Sequence, residues 1–232
     1  MHTPRPKPGA ASTAIPSAAR QALLVTAERM FAERGIEGVS MRELARAAGQ
    51  GNNYAVQHHF GDRAGLAKAV LEMRMTELNV IRAEFLREAK DRARGRELDL
   101  RTLVEATYLP MAAVVDEAGR HNFARFRAHV SIHFGPDPWG LIGKLASAGN
   151  EVQALMRRKL SHLSAEDYVG RLDLVTTFFL AAIASRDPGR ATRSGIDDAG
   201  FLNEVITLCV ACLEAPRPEH QAAASSAEPA IS

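Results

Sequence analysis

The segment Val39-Ser40-Met41-Arg42-Glu43-Leu44 constrains the fold of this chain more than any other. Ser40 is an N-cap residue, and Glu43 three places later completes a capping box, so two orphan N–H groups of a helix start are satisfied locally. Val39 before the cap and Leu44 after it form a hydrophobic staple that sets the angle at which the chain comes in. Gly49 breaks the helix after Ala48. A helix this short is not stable alone in water and must be held by neighbours.

Those neighbours are legible on either side. A first helix is expected from Ser17 to Arg34, with Leu23, Ala27, Met30 and Phe31 on one stripe. Gly35 supplies the left-handed residue that ends it, and Ile36 folds back as the accompanying apolar contact. A third short helix is expected from Asn52 to Phe60, closed by Gly61. Two short helices joined by a tight glycine-containing turn, behind a longer one, are the layout of a helix-turn-helix. At 100° per residue, Gln50, Asn53, Tyr54, Gln57 and His58 share one arc of the third helix, while Ala55, Val56, His59 and Phe60 share the other and are expected to face inward. The outer arc carries amides and rings but no acid. Asn and Gln can pair bidentately with adenine in a major groove, and Tyr and His reach phosphates or base edges. Charge leans the same way: residues 1–63 hold eight Lys/Arg against five Asp/Glu, although the whole chain is only +2.

Asp62 caps a long fourth helix expected to reach Arg94, and further helices are expected at about 98–118, 121–134, 138–161, 165–186 and 197–214. Strand-like alternation is absent. The expected fold class is therefore all-α: a three-helix DNA-binding unit over residues 17–61, joined by helix 4 to a larger helical unit over 62–215. The Pro- and Ala/Ser-rich ends, 1–16 and 216–232, are expected to be disordered. The opening residues lack the apolar core of a secretory signal, and the longest apolar stretch, near Leu174 to Ser185, is too short to span a bilayer. With two cysteines and no disulfide framework, a cytoplasmic protein without a membrane partner is expected.

The run FAERGIEGVSMRELARAAG followed by HHFGDRAGLAKAVL resembles the amino-terminal DNA-binding domain of the tetracycline-repressor (TetR) family. The resemblance covers about residues 20–72. It implies that the third helix enters the major groove of double-stranded operator DNA, that the remaining helices dimerise and bind a small-molecule effector, and that the chain is a regulator, usually a repressor, rather than an enzyme. On this reading Ser40 and Arg42 anchor on phosphates, Gln50, Asn52, Asn53, Tyr54, Gln57 and His58 form the recognition surface, and Arg63 holds a further phosphate. The chain departs from the family pattern in the turn Gly49-Gln50-Gly51-Asn52, which is one residue longer than usual, and at Gln57, where an aromatic is expected. Gly65 stands where an acid would complete the cap of helix 4, which implies a weaker start.

Outside that segment the signals are sparser. Phe85, Tyr108, Met111, Phe123, Phe126, His133, Trp139 and Phe178 are candidate walls of an apolar effector cavity, with ordinary core packing as the competing reading. The helices at 165–186 and 197–214 are strongly apolar and, by the family resemblance, form the homodimer interface. His129 and His133 lie four apart with His121 two turns earlier, which would suit a metal-dependent helical enzyme; the absence of a HExxH motif or a nucleophile–base pair argues against this, and no metal or other cofactor is expected. A protein-binding adaptor on the same fold is the other alternative. Cys209 and Cys212 form a lone CxxC and read as buried small hydrophobes.

Overall fold

A computed structural model describes residues 17–49, 53–186 and 196–216. The expectations for both tails, for Gln50 and Asn52, and for the side chains of Asn53, Tyr54 and Ala55 lie outside the described residues. Ten helices follow one another among the described residues, with no strand: α1 (Ser17–Arg34), α2 (Met41–Ala47), α3 (Asn53–Phe60), α4 (Arg63–Ala93), α5 (Leu100–Ala112), α6 (Asn122–Phe134), α7 (Ile142–Leu145), α8 (Ser147–Lys159), α9 (Ala165–Ala184) and α10 (Asp198–Glu214). The all-α expectation holds. No helix among the described residues is long and apolar enough to cross a membrane.

The head of the molecule, α1 to α3, is built as the capping signals require. Ser40 Oγ accepts from the Glu43 amide at 3.2 Å, and Val39 and Leu44 are both buried. From α1, Leu23, Leu24, Ala27 and Phe31 are fully buried, each contributing on the order of 1–3 kcal/mol by removal from water. This face packs not only on α2 and α4 but most extensively on α6. Phe31 stacks on Phe126 with centroids 6.1 Å apart. A buried ion pair adds to the junction: Arg74 of α4 donates to both carboxylate oxygens of Glu28 in α1, at 2.6 and 2.9 Å.

Helix α4 has 31 residues and so runs about 46 Å, from the head along the body. Against it lie α5 and α8. Pro110 sits inside α5 and lacks an N–H, which leaves the Ala106 carbonyl without its helical donor. Buried Arg82 of α4 supplies one: its Nε donates to the Ala106 carbonyl at 3.1 Å and its Nη2 to that of Thr107 at 3.1 Å. The proline is thus accommodated by a side chain 24 residues earlier in the chain.

Two expected helices are shorter or divided. The helix expected to 118 ends at Ala112, because Asp116 organises the following turn instead. Its carboxylate accepts from the Ala118 and Arg120 amides and from Asn122 Nδ2, each at 2.9 Å. Desolvation pushes this carboxyl up, but those donors outweigh it and hold the group below its ordinary range. The helix expected over 138–161 is split into α7 and α8 at Ala146. Asn79 of α4 caps the second piece, its Oδ1 accepting from the Ala148 amide at 2.9 Å, so a tertiary contact creates a helix start that no local residue announces.

Candidate nucleic-acid interface

The surface of interest is formed by α2 and α3. Val56 is buried and Phe60 half-buried, so α3 turns these toward α1 and α4, with Arg20 lying over the Phe60 ring at 5.6 Å. On the other side Gln57 and His58 are exposed, as the helical arc requires. His59, expected to face inward, is exposed as well. Its ring meets His58 edge-on at 5.7 Å. Ser40 and Arg42 are exposed at the start of α2, beside the surface that α3 presents. Arg34, at the end of α1, donates to Glu43 at 2.7 Å, and this hydrogen bond holds the Glu43 carboxyl below its usual range.

Arg63 does not extend freely toward solvent. Its Nη1 donates to the Glu37 carbonyl at 2.8 Å, and its Nη2 pairs with the Glu37 carboxylate at 2.6 Å. Glu37 is 77% exposed, so this pair is weakly held and a phosphate can compete for the guanidinium. The sequence reading missed Glu37; it lies 26 residues away in the α1–α2 connection, and no local pattern points to it.

Gly65 has a steric reason for standing where an acid would complete the cap. A Cβ at this position would lie 2.0 Å from the Phe60 carbonyl oxygen, so only glycine lets α4 begin this close to the end of α3. Asp62 alone caps the helix, its Oδ1 accepting from the Gly65 amide at 2.8 Å. Gly38 does the same on the other side of the head, where a Cβ would meet the Arg34 carbonyl at 2.3 Å. Glycines at these two points let the chain turn tightly between α1 and α2 and between α3 and α4.

The eight residues expected to line an effector cavity are not gathered around one. Tyr108, Phe123 and Phe126 are fully buried and Met111 nearly so, all within the continuous apolar core. Tyr108 packs on Phe179 at 4.8 Å, with its hydroxyl 3.0 Å from Thr176 Oγ1. Phe85 is half-buried against the same core. Phe178 is 40% exposed on the outside of α9. Trp139 stacks on Phe134 at 6.1 Å, and His133 borders a shallow cleft beside the turn at Gly35 and Gly38. Tyr108, Phe123 and Phe126 fill space between helices, and periodicity alone cannot separate that use from a cavity wall.

The histidines and cysteines also separate. His129 and His133 stack on one face of α6, centroids 6.2 Å apart, whereas His121 precedes the helix and is hydrogen-bonded to the Ala112 backbone. Among the described residues no three His, Cys, Asp or Glu side chains converge as a metal site would require. Cys209 is buried, which pushes its thiol up to about 12, but Cys212, expected inside, is exposed on α10.

The family model for bacterial regulatory proteins of the tetR family matches residues 23–70. Over 55 residues the chain is 44% identical to the HTH-type transcriptional repressor AcnR of Corynebacterium glutamicum, and equally to that of Corynebacterium efficiens. The matched part is 24% of this chain and spans only 29% of the length of either relative. Two solved structures described as TetR-family transcriptional regulators are similar over most of their length. One, from Mesorhizobium loti, has a TM-score of 0.48 at 15% identity, covering 89% of this chain and 96% of its own. The other, from Pectobacterium atrosepticum, has a TM-score of 0.37 at 22% identity, covering 85% and 91%. Residues 23–70, which build the helix-turn-helix and the start of α4, are thus the part of the chain that matches the tetR family of bacterial regulatory proteins.

Proposed function

We propose that this protein is a DNA-binding transcriptional regulator, acting in the cytoplasm as a homodimer on a two-fold operator, with its affinity set by a small-molecule effector. The carrying observation is the acid-free exposed face of α3, Gln57 and His58, set behind a capped α2 whose Ser40 and Arg42 are also exposed. An amide and imidazole surface with basic side chains at its edge suits base edges flanked by phosphates. Residues 17–61 form the DNA-binding unit in this reading, with Asn53 and Tyr54 from the same arc and Gln50 and Asn52 from the turn completing the recognition surface. Residues 62–215 form the effector and dimerisation unit. Repression is assigned from the likeness to the two Corynebacterium repressors.

Support for the homodimer comes from α9 and α10. Their outward faces carry Val169, Leu174, Phe178 and Leu208 at 55, 73, 40 and 42% exposure, a concentration of apolar surface that a monomer in water does not favour. A second copy on a two-fold axis covers the same patch with itself and sets two α3 helices to meet half-sites one DNA turn, about 34 Å, apart or a multiple of it.

The test is selection of DNA fragments by the purified chain, followed by the double variant Asn53→Ala/Gln57→Ala. The variant is expected to remain a folded dimer and to lose specific binding to the selected palindrome. Unchanged affinity would place recognition elsewhere, and no salt-sensitive DNA binding at all would favour a protein-binding role for the fold.

A further inference from the structure

A cavity of about 360 Å³ lies where four helix ends meet: the last turn of α5, the start of α6, the end of α9 and the start of α10. Its size is at the lower end of small-molecule sites. Ala112, Val115, Ile183, Phe201 and Leu202 give it an apolar wall, and none of the aromatic residues singled out in the sequence lines it. Its polar end is formed by His121, Arg186 and Asp198.

Arg186 is arranged as a carboxylate receptor. Its guanidinium lies over the Phe201 ring, 4.7 Å from the centroid, and its side chain is only 12% exposed. The Ile196 carbonyl accepts from Nη2 at 2.9 Å, which fixes the plane of the fork. Nε and Nη2 then both point at Oδ1 of Asp198, at 3.2 and 2.7 Å. Asp198 itself is 92% exposed, so water competes for its carboxylate and another anion can take its place on Arg186. An incoming carboxylate makes the same two bonds and, unlike Asp198, brings an apolar body that can leave water against Phe201 and Leu202. Desolvation keeps the His121 imidazole below its ordinary pKa, hence neutral at physiological pH. Arg186 is thus the one cation among these lining residues, which matches a single negative charge.

We propose that this cavity binds a small monocarboxylate with an apolar or aromatic body, its carboxylate replacing Asp198 on Arg186. Together with the regulator reading above, on which this further step rests, the site serves the effector. It joins α6, which carries α1 through the Phe126–Phe31 stack, to α9 and α10, which carry the outward apolar face. An occupant there acts on the head and on the partner-facing surface at once.

The test uses the full chain without DNA, with benzoate and 3-phenylpropanoate as probes and their uncharged amides as controls, read by calorimetric titration. Saturable binding of at least one acid, at least tenfold tighter than its amide, is expected. Arg186→Gln should weaken the acid at least tenfold with the helical circular dichroism unchanged. Asp198→Asn, at an exposed position that carries no packing, should tighten it severalfold by removing the internal competitor. The proposal is overturned if neither acid binds saturably, if acid and amide bind alike, or if Asp198→Asn leaves the affinity of the acid unchanged. Because no DNA is present, these outcomes are independent of the operator selection, so failure of one reading is distinguishable from failure of the other.

Discussion

The head and the far side of the body leave opposite kinds of surface uncovered. Among the described side chains of α3 the uncovered ones are Gln57, His58 and His59, all polar, and the apolar Val56 and Phe60 are turned in. On α9 and α10 the uncovered residues include Leu174, Phe178 and Leu208. The polar face loses nothing by standing in water until a hydrogen-bonding surface displaces that water. The apolar face has an incentive to be covered at once, at about 25 cal/mol per Å². One chain thus presents a surface suited to reversible binding of a polyanion and another suited to lasting association, and the two are joined by α4 and by the packing of α1 on α6.

The sharpest challenge to this comparison is to cut the junction between the regions. Arg74→Met leaves Glu28, whose side chain is 5% exposed, without its cation, and should cost about 3–5 kcal/mol of stability at neutral pH by urea unfolding. Burial already raises the Glu28 pKa, despite the Arg74 bonds that oppose it. A raised native pKa means that the folded state holds the proton where the unfolded chain has released it, so the contribution of this carboxyl to stability is greatest at low pH and falls as pH rises through the native value. The variant raises that value further. Its deficit relative to wild type should therefore narrow from neutral to acidic pH; a deficit independent of pH would show that the charge is not the cause.

Leu174→Arg tests the apolar face. Burial of one leucine is worth roughly 1.5–3 kcal/mol, so the dimer should weaken about tenfold or more by sedimentation, while the thermal stability of the protomer hardly changes. A monomeric wild-type chain at micromolar concentration would break the comparison on this side. Gln57→Ala tests the polar face, with an expected loss of about 1–3 kcal/mol of operator affinity, confined to particular base pairs. A uniform loss across sequences, with the salt dependence reduced, would instead make Gln57 a backbone contact. The smallest effect is expected for Ser40→Ala. Removing the cap should cost about 1 kcal/mol of stability and leave base preference unchanged.

Much of the head was legible in sequence because its determinants are local. The Ser40–Glu43 cap, the stop at Gly49, the inward pair Val56 and Phe60, and the Asp62 cap all act within about four residues. The bounds of α1 follow from the apolar stripe and Gly35 for the same reason. The misreadings share the opposite property. His59 falls on the inner arc by its spacing yet is exposed, because burial depends on which helices lie against that arc and not on the arc itself. At Gly65 the sequence shows the missing acid but not its reason, the Phe60 carbonyl 2.0 Å from where a Cβ would be.

In the body, periodicity established that there are helices and which faces are apolar, but not which aromatic side chains fill the core and which stand beside space. Tyr108 and Phe178 look alike in sequence, yet one is fully buried against Phe179 and the other is 40% exposed. The sequence by itself determined an all-α chain with a capped two-helix element and a polar third helix, since hydrogen bonds between near neighbours and the 3.6-residue period decide those features. Only the tertiary structure decided where α8 begins, how Pro110 is tolerated, that Glu28 meets Arg74 and Glu37 meets Arg63, and where Arg186 meets Phe201. Each depends on groups at least ten residues apart, and no local pattern encodes a contact that exists only once the helices have packed.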